Sequence, residues 1–241
     1  MSGSQSQKSG INSSKMNSFH DDLDNVIKKI MDVPEEELKK IRDKWNTHIR
    51  DLRNKNRILF RNFAERNIGF RYVEKFSEDK VKNKKAVDTI ISNLVGKKKG
   101  AVIMADVGVG KTMALLYIAK RVTEEEGERC IQKHYLELER VPVSYFFMPR
   151  LFALLHSGGM PRLEKYVLLD DWGREYAEPF VLSQFEALIE KIYASKRGLV
   201  ITTNLLKEEF YNRPGWERII DRVREMCSVL VLSGKSRRAI Q

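Results

Sequence analysis

The sequence predicts an α/β fold in which helices flank a parallel β-sheet. Two observations carry this prediction: short apolar runs alternate with helical segments in the second half of the chain, and a glycine-rich loop joins the first run to the first of those helices. Apolar, β-rich runs separated by helices are typical of buried parallel strands. The predicted strands are 101–105, 143–147, 166–170, 199–203 and 228–232, and the predicted helices are about 111–126, 149–157, 178–195 and 215–226.

The residues that precede this core divide into three predicted segments. Residues 1–17 are rich in Ser and Gly, so we expect a disordered tail. Residues 18–66 carry apolar side chains at helical spacing among many basic ones, and they predict a small helical segment that binds a partner. Residues 67–100 predict a linker and the first core helix, and residues 101–241 form the predicted core.

Charge and composition limit the classes of partner. The net charge is +11, and residues 1–100 hold 23 Lys and Arg against 14 Asp and Glu. This excess indicates a polyanion or an acidic partner, although solvated helix faces explain it equally well. No apolar run approaches the roughly 20 residues that span a bilayer, so we expect no membrane partner. The scattered cysteines and histidines predict no metal site of their own and a reduced, cytoplasmic protein.

The glycine-rich loop ends in Gly110, Lys111 and Thr112, which close the P-loop pattern G-x-x-x-x-G-K-[ST]. A strand before the loop and a helix after it are the context that this motif requires. Gly108 and Gly110 let backbone N–H groups turn toward phosphate oxygens. We expect Lys111 to reach the β- and γ-phosphates of ATP and Thr112 to ligate Mg²⁺. The predicted nucleotide-binding residues are Ala105, Asp106, Val107, Gly108, Val109, Gly110, Lys111 and Thr112.

Ala105 stands where the P-loop pattern has its first glycine. We expect a slight cost, because the position needs only a conformation that an L-residue can adopt and the methyl group is small. Loss of Gly110 or Lys111 would be far more damaging. The alternative is a loop with a structural role alone.

The stretch YVLLDDWG predicts a strand that ends in the paired acids Asp170 and Asp171. Like charges repel, so such a pair is costly without a cation beside it. We expect Asp170 to hold Mg²⁺ through water and Asp171 to orient and activate the attacking water. Asp is one methylene shorter than Glu, so hydrolysis is expected to be slow. A solvated turn is the alternative.

Two later segments add candidate catalytic residues. Asn204 follows the next predicted strand and can reach the γ-phosphate or the lytic water, although Asn also suits a turn at that position. Arg218 and Arg222 lie on an amphipathic predicted helix. One arginine of this helix can act on a neighbouring subunit's nucleotide as an arginine finger, and ion pairing with acids of the same helix is the alternative.

In sequence, the motifs are the P-loop, DDWG, TTN, RIIDRV and LVLSGKSRR. Their order resembles that of the AAA+ ATPases of the DnaC/DnaI helicase-loader and IstB transposition-helper group. The stretch AERNIGFRYVEKF (64–76) is similar to the linker before the ATPase core of that group. The resemblance therefore covers about residues 64–241. It implies a P-loop AAA+ core, with Asn204 as sensor 1, Arg222 as the arginine finger and Arg238 as sensor 2. The chain ends soon after Arg238, so we expect a reduced or absent C-terminal lid.

The resemblance also implies a DNA-binding segment. Residues 147–162 would form an initiator-type helical insertion that faces single-stranded DNA. Arg150, Arg162 and Lys165 are then the candidate phosphate contacts.

The function that the resemblance implies is an ATP-dependent loader of a replicative helicase hexamer. Its N-terminal helices would bind the helicase, and its ATPase domain would assemble on single-stranded DNA as an oligomer with ATP between subunits. ATP binding and hydrolysis would control assembly and release. The alternatives are an IstB-like helper that binds duplex DNA and a transposase, a small-molecule P-loop kinase, and a non-hydrolysing module clamped by ATP.

Overall fold

The computed structural model describes residues 34–97, 99–173, 175 and 178–233. The chain forms two compact units, Met1–Asp51 and Leu52–Gln241. The predicted tail at 1–17, the first part (18–33) of the predicted helical segment and the predicted sensor Arg238 lie outside the described residues. Within the described ranges, no helix combines the length and the apolar character needed to cross a bilayer.

The described residues form α-helices and strands that alternate through most of the second unit. The helices are α1 (Glu35–Ala64), α2 (Phe70–Glu74), α3 (Lys84–Lys97), α4 (Lys111–His134), α5 (Met148–His156), α6 (Pro179–Ala194), α7 (Lys207–Tyr211) and α8 (Glu217–Met226). The strands are β1 (Gly100–Met104), β2 (Val143–Phe147), β3 (Tyr166–Trp172), β4 (Gly198–Thr203) and β5 (Cys227–Val231). A π-helix, Glu65–Gly69, lies between α1 and α2, and a 3₁₀ helix covers Glu78–Lys80.

In the first unit, the described residues form the start of α1. This helix begins directly after Pro34, whose carbonyl accepts hydrogen bonds from the N–H groups of Glu37 and Leu38. Glutamates occupy its first turn. Negative side chains there complement the positive end of the helix dipole, which favours a helix start at this point.

The described strands form one parallel sheet in the order β2-β3-β4-β1-β5. Helices cover both faces of this sheet. In β1, Val102 and Met104 pack with α5, α6 and α8, whereas Ala101 and Ile103 pack with α3 and α4. Successive side chains of a strand point to opposite faces, so a strand covered on both sides must be apolar throughout. The predicted α/β fold with a parallel sheet is confirmed.

Strand β3 differs from its predicted form at its carboxyl end. It runs two residues past Asp170, and its pairing with β4 shifts register between Leu169 and Trp172. At this bulge Asp171 has a φ of 64°, in the left-handed region that non-glycine residues rarely adopt. Trp172 then pairs with Thr203. The irregularity changes the direction of the chain where the paired acids lie, as β-bulges beside functional sites do.

In the second unit, the last part of α1 packs closely on α4. Arg53 forms a two-pronged ion pair with Glu128, with N–O distances of 2.6 and 2.8 Å. Asn56 is buried, and its Oδ1 accepts a hydrogen bond from the backbone N–H of Leu138 at 2.8 Å. A Cβ atom on Gly127 would lie 2.7 Å from Asn56 Nδ2. A glycine therefore permits the close approach of the two helices.

Candidate nucleotide-binding site

Nine of the predicted site residues line a cavity of about 990 Å³ at the carboxyl edge of the sheet; they are Val107, Gly108, Gly110, Lys111, Thr112, Arg150, Asp170, Asp171 and Asn204. The loops that follow β1 and β4, together with the carboxyl end of β3, supply one side of the cavity. Crevices at the carboxyl ends of parallel strands are the usual ligand sites of such sheets. The linker supplies a further set of lining residues, which are Asn67, Ile68, Arg71, Tyr72, Lys75 and Lys80.

The loop between β1 and α4 has the backbone that a phosphate-binding loop requires. Gly108 has a φ of 82° and Gly110 a φ of 115°. A Cβ on Gly110 would meet nothing within 4 Å, so the requirement for glycine there is conformational rather than steric. Helix α4 begins at Lys111, and its first residues line the cavity. The positive end of the helix dipole is therefore available to an anion.

Ala105 extends the pairing of β1 with β4. Its backbone N–H donates to the carbonyl oxygen of Thr203 at 3.2 Å, and its φ is not positive. The residue is buried, with 8% of its surface exposed. At this position the backbone is one that an L-residue adopts without strain.

A chain of polar contacts connects three of the four predicted catalytic side chains, Lys111, Asn204 and Asp171. The buried Lys111 donates from Nζ to the carbonyl oxygens of Ala105 at 2.7 Å and Asp106 at 3.0 Å, and also to Asn204 Oδ1. Asn204 Nδ2 donates in turn to Asp171 Oδ1 at 2.8 Å. The amide of Asn204 thus links the lysine cation to the carboxylate of Asp171.

The carboxylate of Asp170 is buried and is held by hydroxyl groups from separate elements. Thr112 Oγ1 and Tyr145 OH donate to Oδ2 at 3.1 and 2.7 Å, and Thr202 Oγ1 donates to Oδ1 at 2.6 Å. The Thr202 hydroxyl also accepts a hydrogen bond from the backbone N–H of Asp171 at 3.0 Å. Hydrogen bonds to a charged acceptor are strong, so this set fixes both the carboxylate and the bulge.

The residues around Asp170 fit a magnesium ion. Thr112 Oγ1 and Asp170 Oδ2 are hard oxygen donors 3.1 Å apart, at the start of α4 and the end of β3. Mg²⁺ is typically bound by one or two such groups together with phosphate oxygens of the substrate and water. Among the described residues, no group of three or more His, Cys, Asp or Glu side chains is arranged to hold a metal ion.

Tyr145, Thr202 and the linker residues of the site were not found from the sequence. Burial raises the pKa of the Tyr145 phenol, and the charge and the hydrogen bond of Asp170 raise it further, so the phenol is a neutral donor. Tyr145 and Thr202 lie within apolar strands, where no pattern marks them. Arg71 and Lys75 are four residues apart around α2, and this spacing was the one signal in the sequence that the linker presents cations together.

Arg222 does not line the cavity of its own chain. Its Nε lies 2.8 Å from Glu190 Oε2 on α6, and its guanidinium lies 4.4 Å from the centre of the Tyr193 ring. A second pair joins Arg218 to Glu186 at 3.3 Å, one turn earlier on both helices. Within one chain these two arginines of α8 therefore form ion pairs with glutamates of α6. The sequence analysis did not identify those glutamates.

The three candidate DNA contacts do not form one surface. Arg150 lines the cavity at the carboxyl edge of the sheet. Arg162 lies 3.4 Å from Glu164, and Lys165 lies 2.8 Å from Glu126. In a parallel sheet, all strands begin at one edge and end at the opposite edge. Arg150 follows the end of β2, whereas Arg162 and Lys165 precede the start of β3. Arg150 therefore lies apart from the other two candidates, and the role of all three in DNA binding stays a prediction.

No protein-family model matches the chain, and no curated protein matches it significantly. Among solved structures, DnaI is 21% identical with a TM-score of 0.51, and the match covers 68% of this chain and 91% of DnaI. The DnaC helicase loader is 20% identical with a TM-score of 0.46, over 62% of this chain and 88% of DnaC. AMPPCP-bound DnaA from Aquifex aeolicus is 15% identical with a TM-score of 0.45, over 62% of this chain and 45% of DnaA. The α/β fold of the chain is similar to that of DnaI.

Proposed function

We propose that the chain is an ATPase that binds ATP and Mg²⁺ in the cavity between the P-loop and the linker. The observation that carries this proposal is the polar chain from Lys111 through Asn204 to Asp171, beside the contact of Thr112 with Asp170. Phosphoryl transfer to water needs a cation for the phosphates, carboxylates for the metal ion and the attacking water, and a polar group that positions them.

Each side chain has a role in this reaction. Lys111 exchanges its carbonyl and amide acceptors for phosphate oxygens when ATP binds. Asn204 and Asp171 orient the attacking water, and Asp171 accepts its proton at a carboxylate oxygen. Thr112 and Asp170 would hold Mg²⁺, which supplies charge neutralisation between the β- and γ-phosphates.

A nucleotide-binding measurement tests the site directly. Lys111→Ala removes the cation from the phosphate region, and loss of charge-assisted hydrogen bonds of about 1.5–3 kcal/mol corresponds to roughly a 10–100-fold weaker affinity for a fluorescent ATP analogue. Lys55→Ala is the matched control, because Lys55 forms a surface pair with Glu137 at 3.1 Å and does not line the cavity. Equal affinities of wild type and Lys111→Ala would contradict the proposal.

The site would be completed by a second copy of the chain. Arg222 would leave Glu190 and reach the γ-phosphate bound to the neighbouring subunit. A surface ion pair is worth about 0–1 kcal/mol, so its release is a small cost for assembly. ATP would then order the oligomer, and hydrolysis would favour its release from the partner and from DNA.

The biological role that we propose is the loading of a replicative helicase. The order of the sequence motifs supports this role, and the fold shared with DnaI is compatible with it. The N-terminal segment at 18–66 would bind the helicase hexamer, and the ATPase core would bind single-stranded DNA.

Two binding measurements test that role. We expect the full chain to retain a replicative helicase hexamer in a pull-down, and to bind single strands more tightly than duplex when both are measured at one salt concentration. Failure to bind any replicative helicase would contradict the loader role. A strong duplex preference together with transposase binding would instead establish the transposition-helper function.

A further inference from the structure

Tyr145 contacts Asp170, the carboxylate proposed to bind Mg²⁺. The reaction proposed above gives this contact no role. Its hydroxyl donates to Asp170 Oδ2 at 2.7 Å, and this is the same oxygen that Thr112 reaches at 3.1 Å. Tyr145 lies on β2, two residues before Phe147, which is the register partner of Asp170 in β3. The sheet therefore presents the phenol to the carboxylate from the neighbouring strand.

The Tyr145 ring is partly buried and packs beside the site. It lies against a small apolar cluster of Ala64, Ile68 and Leu116, which joins the linker to α4. An aromatic ring has few rotatable bonds, so a packed ring places its hydroxyl with little freedom. The neutral phenol is a donor to the carboxylate, which has acceptor oxygens alone.

Hydroxyl groups hold both oxygens of Asp170. A hydroxyl that would bind Mg²⁺ through a lone pair keeps its hydrogen, so Thr112 Oγ1 can still donate to Oδ2. Tyr145 also donates to Oδ2, and Thr202 donates to Oδ1. Donors on both oxygens prevent rotation of the carboxylate about its bond to Cβ. Partners of this kind orient metal-binding groups in many sites.

We propose that Tyr145 is a positioning residue for magnesium: its hydroxyl holds Asp170 Oδ2 toward Thr112, so that the ion arriving with a nucleotide meets a carboxylate already in place. This inference rests on the proposed function, because it requires a nucleotide in the cavity. Tyr145 acts through Asp170 and has no contact with the reacting atoms.

The test is Tyr145→Phe, which removes one oxygen and keeps the packed ring. Affinity for a fluorescent ATP analogue is measured across a titration of MgCl₂ and again in excess EDTA. We expect the Mg²⁺ concentration for half-maximal tightening to rise about tenfold, the lower end of the effect typical for such partners. Affinity in EDTA should equal that of wild type, because no nucleotide contact is lost.

Tyr166→Phe is the matched control. Tyr166 is also a tyrosine of the sheet, although more deeply buried, and its hydroxyl donates to Glu126 Oε1 at 2.8 Å, away from the cavity. Its Mg²⁺ titration should match that of wild type. Thr202→Val removes the donor to the other carboxylate oxygen and should raise the Mg²⁺ requirement in the same direction; it decides the question if Tyr145→Phe does not fold.

The outcomes separate this inference from the proposed function. If wild type binds no nucleotide, the proposed function itself fails. If wild type binds and Tyr145→Phe has the same Mg²⁺ requirement, the positioning role is overturned while the ATPase proposal stands. If Tyr145→Phe weakens binding equally in EDTA, Tyr145 contacts the nucleotide directly, which also overturns the positioning role.

Discussion

Ala105 and Gly110 show at the scale of single residues which glycines a phosphate-binding loop needs. Ala105 still belongs to the sheet, since its N–H bonds to Thr203 of β4. Gly110 has a φ of 115°, which strains any L-residue. The departure from the P-loop pattern therefore falls at a position where the backbone tolerates it.

The first prediction compares Ala105→Gly with Gly110→Ala. Ala105→Gly should lower the free energy of unfolding by about 0.5–1 kcal/mol, through chain entropy, and leave nucleotide affinity unchanged. Gly110→Ala should cost about 1–3 kcal/mol in backbone strain and weaken nucleotide binding, because the loop relaxes away from its phosphate-binding form. Urea unfolding and nucleotide titration measure both effects. Wild-type affinity in Gly110→Ala would contradict this account of the loop.

Some residues of the site were predictable because each belongs to a recognisable motif at the carboxyl end of a strand. Lys111 and Asp170 are of this kind, and parallel strands bring their carboxyl ends to one edge. Tyr145 was not predictable, because it lies in an apolar strand 25 residues before its hydrogen-bond partner. The same holds for Glu190, which pairs with Arg222 across 32 residues. Such contacts depend on tertiary packing, which local spacing does not encode.

At the scale of elements, the joint between α1 and α4 depends on the absence of a side chain at Gly127. A Cβ there would lie 2.7 Å from Asn56 Nδ2 and 3.4 Å from its Cγ. Asn56 is buried and bonded to Leu138, so it has little room to move. At Gly96, near the end of α3, a Cβ would meet no atom within 4 Å.

The second prediction is that alanine has opposite effects at these two helical glycines. Gly96→Ala should raise the free energy of unfolding by roughly 0.5–1 kcal/mol, since alanine loses less chain entropy in a helix. Gly127→Ala should lower it by about 1–3 kcal/mol, because the methyl overpacks the joint and displaces Asn56. Urea denaturation of both variants measures the difference. Stabilisation by Gly127→Ala would show that the two helices are not closely packed.

At the scale of the whole molecule, the alternating pattern of the sequence was sufficient to predict a parallel sheet covered on both faces. The strand order β2-β3-β4-β1-β5 was not predictable from that pattern, because an apolar run marks a strand without indicating which strand lies beside it. The bulge at Asp171 was also missed. It depends on the hydroxyl of Thr202, which lies on a different strand.

The third prediction uses the two cysteines to report the integrity of the sheet. Cys227 begins β5 and is buried, and burial raises the pKa of its thiol. Cys130, on α4, is partly exposed. Since the thiolate is the reactive form, iodoacetamide at neutral pH should label Cys130 in the native protein and both cysteines after unfolding. Mass spectrometry of the peptides measures the labelled fraction of each cysteine. If Cys227 were labelled as fully as Cys130 in the native protein, β5 would not be held in the sheet.

The measurement that tests the central claim most directly is ATP hydrolysis by a mixture of two inactive variants. Lys111→Ala removes the P-loop cation, and Arg222→Ala removes the proposed finger, which is worth roughly 10³–10⁵ in rate. Arg218→Ala is the control, because Arg218 forms the equivalent pair with Glu186 on the same helices. Reactions are run with and without single-stranded DNA.

We predict that DNA stimulates the wild type and Arg218→Ala, that Lys111→Ala and Arg222→Ala are each inactive alone, and that mixing them restores part of the activity. A mixed oligomer contains some sites with an intact P-loop facing an intact Arg222. If Arg222→Ala alone hydrolyses ATP like the wild type, the shared site is contradicted. If the wild type binds ATP and never turns it over, the chain is an ATP-clamped module and Asp171 is not a catalytic base.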